Sequence, residues 1–402
     1  MNGAGQYNSP HRLRCRAMPS YNGPIASKLP RVGTTIFTIM SRLAQEHGAI
    51  NLSQGFPDFD CAPELRALVT KYINAGLNQY PPMAGIAPLR EAVAEKAAAL
   101  YGTAYHPDDE VTIVPGATCG IYTAIAALVR PGDEVILFEP AYDSYAPAVE
   151  VNGGTPVYVQ LTYPEYAIDW PAVERAITPR TRLIVVNTPN NPTASVFSAE
   201  DMRVLEGMLR DTDIVVVSDE VYEHIVFDGH RHESVARYPG LAERSYIVSS
   251  FSKTYHVTGW KMGYVLAPRE LMAEFRKVHQ FNVFVANGPI QYALAEYMRD
   301  RNAYLELAAF YQHKRDYFLH GLRGSRFVPL PTRGTFFQNL RYDAISDEPD
   351  TEIAARLTRD HGVASIPVSV FYRQPPAHKV LRFCFAKSEA TLARGAEILS
   401  RI

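Results

Sequence analysis

The stretch Ile214-Val215-Val216-Val217-Ser218-Asp219-Glu220-Val221-Tyr222 decides the fold. Four consecutive β-branched residues make a strand without a polar side, which suits burial on both faces of a sheet. Two acids follow at once, and Tyr222 stands three residues beyond Asp219. An acid at the end of a doubly buried strand needs a cationic partner, and a protonated ring nitrogen is one. Similar β-rich runs lie at residues 111–114, 134–138, 157–161, 183–186, 246–248 and 264–266. Helical stretches at 88–100, 121–129, 172–177 and 201–209 alternate with them and have the length of crossovers. This pattern predicts an α/β unit with a mostly parallel sheet and helices on both faces. Past residue 290 the pattern changes to two helical stretches and β-rich runs at 326–340, 362–367 and 380–385. That reads as a smaller α+β domain, completed by a helix at 36–45. The predicted division is an arm at 1–33, a small domain from 34–65 with 293–402, and a large domain at 66–292.

The chain has 402 residues, 47% hydrophobic and 20% charged, enough for at least one large core. A formal net charge of -2 gives no electrostatic footprint for nucleic acid. The four cysteines form no CxxC or Cys/His pair, so neither a disulfide framework nor a metal site is expected. No apolar run reaches the ~18 residues of a membrane span, and no secretory segment is visible. A cytoplasmic protein is the expectation. Residues 1–45 contain no acid but carry Arg12, Arg14, Arg16, Lys28, Arg31 and Arg42. The segment reads as a polar arm draped over a partner subunit, with organelle targeting as the alternative.

In open α/β sheets ligands sit at the carboxyl ends of strands, and four sets of chemistry-bearing residues follow strands here. Lys253, in Ser249-Ser250-Phe251-Ser252-Lys253-Thr254-Tyr255, comes just past the run at 246–248. An ammonium there must find partners or lose its proton, and a neutral amine is what Schiff-base chemistry requires. Eight residues on, Lys261 can neutralise a phosphate to which Ser250 also donates. Pro115-Gly116-Ala117-Thr118 joins a strand to a helix, where free N–H groups face an anion. Asn191, in Asn187-Thr188-Pro189-Asn190-Asn191-Pro192, can donate to a ring oxygen. Taken singly, each is an ordinary turn or surface lysine. Four together at strand ends are hard to dismiss.

The segments NTPNNPT, SDEVYEH, SSFSKTYHVTGWKMGY and VLRFCFAK resemble the fold-type I, class I/II aminotransferases that use pyridoxal 5′-phosphate. NLSQGFPDFD, NQYPPMAGIAPLREA, YDSYAP and IPVSVF are most similar to the methionine aminotransferase and kynurenine/glutamine-phenylpyruvate aminotransferase branch. The resemblance runs from about residue 34 to the C-terminus. It implies that Lys253 is the internal-aldimine lysine and that Asp219 keeps the pyridine nitrogen protonated. Asn191 and Tyr222 match the pair on the phenolic oxygen, and Tyr142 an aromatic stacked on the cofactor. Ala117, Thr118, Ser250 and Lys261 match the phosphate cup, with Tyr80 reaching the phosphate of the neighbouring subunit. Arg382 matches the arginine that takes the substrate carboxylate. Gly55 and Phe37 match positions lining the substrate side, and Phe284 an aromatic contributed across a homodimer.

Two departures, GATCG in place of a GGYG-like turn and Val285 where the kynurenine branch can carry histidine, favour methionine-type substrates. The implied activity moves an amino group from methionine or aromatic and neutral amino acids to a 2-oxo acid by ping-pong kinetics. Alternatives are a C–S β-lyase of the same fold and a kynurenine aminotransferase. A cofactor-sensing transcription regulator would need a DNA-binding module, and residues 1–33 show no helix-turn-helix pattern.

Overall fold

The computed structural model describes residues 20–402; Cys15 and most of the basic arm lie outside the described residues. The central sheet has seven strands: β1 (Val111–Val114), β2 (Glu134–Glu139), β3 (Thr155–Gln160), β4 (Thr181–Asn187), β5 (Val215–Asp219), β6 (Ser245–Ser250) and β7 (Gly263–Leu266). Their spatial order is β1-β7-β6-β5-β4-β2-β3. All neighbours are parallel except β7, which runs antiparallel to β1 and β6. The seven β-rich runs before residue 270 are thus strands of one mostly parallel sheet.

The apolar runs lack an alternating pattern because both faces are covered. Ile184, Val186, Val216 and Ile247 enter one core, while Leu183, Val185, Val217 and Val248 enter another on the opposite face. Helices Ala117–Leu128, Tyr145–Val151, Trp170–Ala176 and Ala199–Leu209 lie between consecutive strands. The helix Tyr145–Val151 has no counterpart in the sequence reading. Its seven residues include Pro147 in the first turn, where a missing N–H costs nothing.

A third core surrounds an antiparallel sheet of β8 (Val328–Pro329), β9 (Phe337–Arg341), β10 (Ile366–Pro367) and β11 (Val380–Cys384), ordered β10-β11-β9-β8. Phe318, Phe327, Phe337 and Phe383 fill it, joined by Met40 from the helix Ile36–Glu46. Ala293, Leu294, Met298 and Tyr304 pack in the core of the large sheet, and Leu307 opens the part of the chain packed in the third core. Packing thus changes core between Tyr304 and Leu307, although Leu330, Val368 and Val380 return to the core of the large sheet.

Register brings the carboxyl ends of three strands to one edge: Asn187 lies opposite Asp219, and Asp219 opposite Val248. Behind this edge the buried Glu223 accepts from Lys96 Nζ and Tyr264 Oη, each at 2.7 Å, and from Ser249 and Tyr101. Burial alone would raise its carboxyl; the Lys96 ammonium, with His224 and these donors, holds it below the usual carboxylate range. Glu223 adjoins Tyr222 and Ser249 adjoins Ser250, so the ion pair ties together two segments that border the strand-end edge. Lys96→Met should cost about 3–5 kcal/mol of stability, because it strands a buried charge. Adding Glu223→Gln should restore more than half of that loss in urea unfolding, and no restoration would mean that packing, not charge, dominates.

Candidate active site

The side chains around the cavity stand mainly where strands of the large sheet stop, whereas Arg382 lies within β11 and Phe37 on the helix Ile36–Glu46. Asp219 ends β5, and its neighbour across the register, Asn187, ends β4. Asn187 donates through Nδ2 to the Asp219 carbonyl (3.0 Å) and accepts the Asn191 N–H through Oδ1 (2.9 Å). One amide side chain thus fixes Asn191 relative to Asp219. At the end of β6, Ser250 caps the one-turn helix Phe251–Thr254, accepting from the Ser252 N–H at 3.2 Å. That turn carries Lys253.

A cavity of about 140 Å³ opens between these ends. Ala117, Thr118, Tyr142, Asn191, Asp219, Tyr222, Ser250, Lys253 and Lys261 all line it. Nine residues expected from the sequence therefore share one wall. Gly55 joins them through its carbonyl, which accepts from Lys253 Nζ at 3.2 Å. Arg382 lies just behind Asn191, donating to its Oδ1 at 2.6 Å and to the Ser53 carbonyl at 3.2 Å. Phe37 faces the same guanidinium at 5.4 Å.

Tyr80 and Phe284 are elsewhere. They pack edge to face at 5.5 Å beside a separate cavity of about 670 Å³, and Tyr80 is 82% exposed. Within a single chain they do not meet the others.

The charges of the cavity lack partners. Asp219 is buried with no ion pair among the described residues, and burial raises its carboxyl to about 6 against hydrogen bonds from Tyr145 and the Val221 N–H. Burial pushes Lys253 down to about 8. Lys261 has no carboxylate partner among the described residues and sits in the left-handed region at φ 54°. It approaches Gly116 so closely that a Cβ there would lie 3.2 Å from Lys261 Cε. Gly116 itself has φ 86° and offers no side-chain cap to the helix Ala117–Leu128. The first N–H groups of that helix therefore face the cavity beside Lys261, a ready site for a phosphate. Arg382 is 1% exposed, its Nε has no acceptor, and burial lowers it to about 10, so it remains a cation at neutral pH.

A bound molecule with a phosphate, a ring nitrogen that takes a proton and an aldehyde would complement this set point by point. The donor set fits pyridoxal 5′-phosphate.

Residues 47–399 match the family model described as aminotransferase class I and II. The chain belongs to that family. It is 49% identical over 384 residues to a methionine aminotransferase of Escherichia coli K12, covering 95% of this chain and 100% of that protein. It is 39% identical over 388 residues to a probable N-succinyldiaminopimelate aminotransferase of Mycobacterium tuberculosis, covering 93% and 97%. An Escherichia coli crystal structure reported to identify a methionine aminotransferase function superposes with a TM-score of 0.93 at 49% identity, covering 94% of this chain and all of that one. The fold is accordingly that of the fold-type I aminotransferases.

Sequence reasoning missed several residues of this aminotransferase's site. Tyr145 donates to Asp219 Oδ2 at 2.5 Å. Its only signal was its place in YDSYAP, three residues after Tyr142. Asn187 is the last residue of β4 and the first of NTPNNPT, a segment whose prolines mark a turn. Phe337 lies 3.9 Å and Phe371 5.5 Å from the Arg382 guanidinium; Phe337 is in none of the segments quoted above, and Phe371 closes IPVSVF with no role assigned to it there.

The depressed lysine gives a pH prediction. Below about pH 8 Lys253 is an ammonium, and above it a nucleophilic amine, whereas an ordinary lysine changes near 10.5. Reductive methylation of the ligand-free protein by formaldehyde and cyanoborohydride, followed by peptide mass spectrometry, should show a midpoint near pH 8 at Lys253. A midpoint near 10 would mean that the amine is hydrated.

Proposed function

We propose that this aminotransferase moves the amino group of methionine, or of aromatic and other neutral amino acids, to a 2-oxo acid, with pyridoxal 5′-phosphate in the strand-end cavity. The observation that carries the reading is the buried, unpaired Arg382 guanidinium next to a cavity lined by Lys253 and Asp219. The cofactor supplies an aldehyde that condenses with amines and a ring that accepts the electron pair left at Cα.

The chain's own residues do the rest. Lys253 would hold the cofactor between turnovers and, once displaced by substrate, would take the Cα proton on Nζ and deliver it to the carbon that had been the cofactor's aldehyde. Its depressed basicity suits both tasks, since the amine loses its proton near pH 8 rather than near 10.5. Asp219 keeps the ring nitrogen protonated, and the nitrogen in turn provides the cation that the buried carboxylate lacks. Asn191 and Tyr222 donate to the ring oxygen, and Tyr142 covers a ring face. Lys261, Ser250 and the N–H groups of Ala117 and Thr118 hold the phosphate. Arg382 binds the substrate carboxylate with a guanidinium fork, positioned by Asn191 and the Ser53 carbonyl. Both half-reactions use one site, so the first product leaves before the second substrate enters.

Substrate choice follows from the surroundings of Arg382. Phe37, Phe337 and Phe371 put apolar rings around it. An apolar wall favours an apolar side chain by burial, at ~25 cal/mol per Å². A second carboxylate there would be desolvated and unpaired. Methionine should exceed aspartate in kcat/KM by at least ~100-fold with a fixed 2-oxo acid acceptor. Differences among methionine, phenylalanine, tyrosine and glutamine should be smaller, since a methylene is worth only ~1–3 kcal/mol. Aspartate matching methionine would place an unrecognised cation in the pocket.

We also infer a homodimer with shared sites. Ile73, Tyr80, Phe281 and Phe284 are exposed, and Tyr80 and Phe284 are apart from the cavity of their own chain. A second copy that covers them places Tyr80 against its partner's phosphate. Mixing Lys253→Ala subunits with Tyr80→Phe subunits should then raise activity above either parent, as one site in each heterodimer regains both residues. Activity that stays at the parental level after proven exchange would exclude sharing.

A further inference from the structure

Ionisable groups approach Asp219 from several segments of the chain. Tyr142 approaches from the segment before the helix Tyr145–Val151, Lys253 from the helix Phe251–Thr254, and Glu220 and Tyr222 from its own segment. Among the described residues two groups donate to its carboxylate. The Val221 N–H reaches Oδ1 at 3.3 Å, a long contact, and the Tyr145 hydroxyl reaches Oδ2 at 2.5 Å. A short bond from a hydroxyl to a carboxylate in a dry interior is among the stronger hydrogen bonds of proteins.

Tyr145 is itself fixed. It is 3% exposed, it sits in the core under the sheet, and its ring meets Tyr142 edge on at 5.7 Å. Its hydroxyl has no other acceptor among the described residues. Burial, with Asp219 close by, drives the phenol well above its ordinary value, so it stays protonated and acts toward the carboxylate as a donor only. Neither the cofactor roles nor the substrate roles assigned above use it.

We propose that Tyr145 is a positioning residue for Asp219, whose phenolic hydroxyl fixes the carboxylate rotamer and keeps that buried acid an ionised acceptor toward the cavity. Its catalytic part rests on the role of Asp219 given above; its electrostatic part does not. Burial favours the neutral acid, and among the side chains around Asp219 the Tyr145 hydrogen bond opposes this most. Without the hydroxyl, the carboxyl would take up its proton at higher pH and would be a weaker partner for a ring nitrogen. The loss would pass through Asp219 alone, since the phenyl ring can keep its packing.

The test is Tyr145→Phe, with 3-fluorotyrosine at position 145 as a second variant that strengthens the donor without altering the ring's place. Carbon-13 NMR of the labelled Asp219 carboxyl, assigned by its absence in Asp219→Asn, reads the midpoint in the ligand-free protein. Tyr145→Phe should raise it by about one pH unit and 3-fluorotyrosine should lower it. In the loaded enzyme, kcat with methionine should fall about tenfold in Tyr145→Phe, with KM within twofold of the parent. The same change in an Asp219→Asn background should cause no further loss. An unmoved midpoint, or an equal loss of kcat in the Asp219→Asn background, would overturn the proposal. Near-normal turnover in Asp219→Asn alone would instead overturn the role given to Asp219, and the midpoint shift would still decide the electrostatic part.

Discussion

A carboxylate buried at the end of β5 without a cation of its own is the constraint around which the site is built. An isolated buried charge is costly, and proteins tolerate it only where a ligand or a strong donor compensates. Asp219 has both kinds of answer in view: the Tyr145 hydroxyl within the chain and an open cavity on the other side. The same holds for the three cations around that cavity. Lys253, Lys261 and Arg382 have no carboxylate within reach among the described residues. Together these four residues form a charge pattern that is complete only when a molecule supplies a phosphate, a protonated nitrogen and a carboxylate.

The contrast with the layer behind the site is instructive. Glu223 and Lys96 are equally buried, but they are matched to one another and to Tyr101, Tyr264 and Ser249. That network is saturated and does structural work, pinning the segments that end in Tyr222 and begin at Ser250. A few ångströms forward, the acceptors and donors are left open. Ion pairs closed on themselves hold the scaffold, and charges left unclosed mark where chemistry happens.

Lys253 shows how the fold tunes reactivity without any special residue. It sits in a one-turn helix that Ser250 caps, with the rings of Tyr222 and Phe336 at 5.9 and 5.3 Å. Burial lowers its basicity, and the nearby Lys261 and Arg382 add to the effect. Its one hydrogen-bond acceptor among the described residues is a neutral carbonyl, that of Gly55, which does little to stabilise an ammonium. A lysine that gives up its proton near pH 8 rather than near 10.5 thus follows from the placement of ordinary groups.

Much of this was legible in the residues themselves. Unbroken β-branched runs announce strands buried on both faces, and strand ends in such a sheet face one edge. Asp219, Asn191, Ser250 and Lys253 could therefore be placed together before any coordinates, and Gly116 marked the turn beside Lys261. Periodicity reports how one element is buried, however, and not which elements touch. Only the tertiary structure brings Arg382 onto Asn191, 191 residues earlier in the chain, and Tyr145 onto Asp219, 74 residues later. It alone sets Phe37, Phe337 and Phe371 around one guanidinium. Those contacts depend on how the small antiparallel sheet and the short helix Tyr145–Val151 dock on the large sheet, a matter of shape and burial summed over many side chains. Sequence thus determined the sheet, its active edge and the residues on that edge, and tertiary packing decided which charges were left without partners.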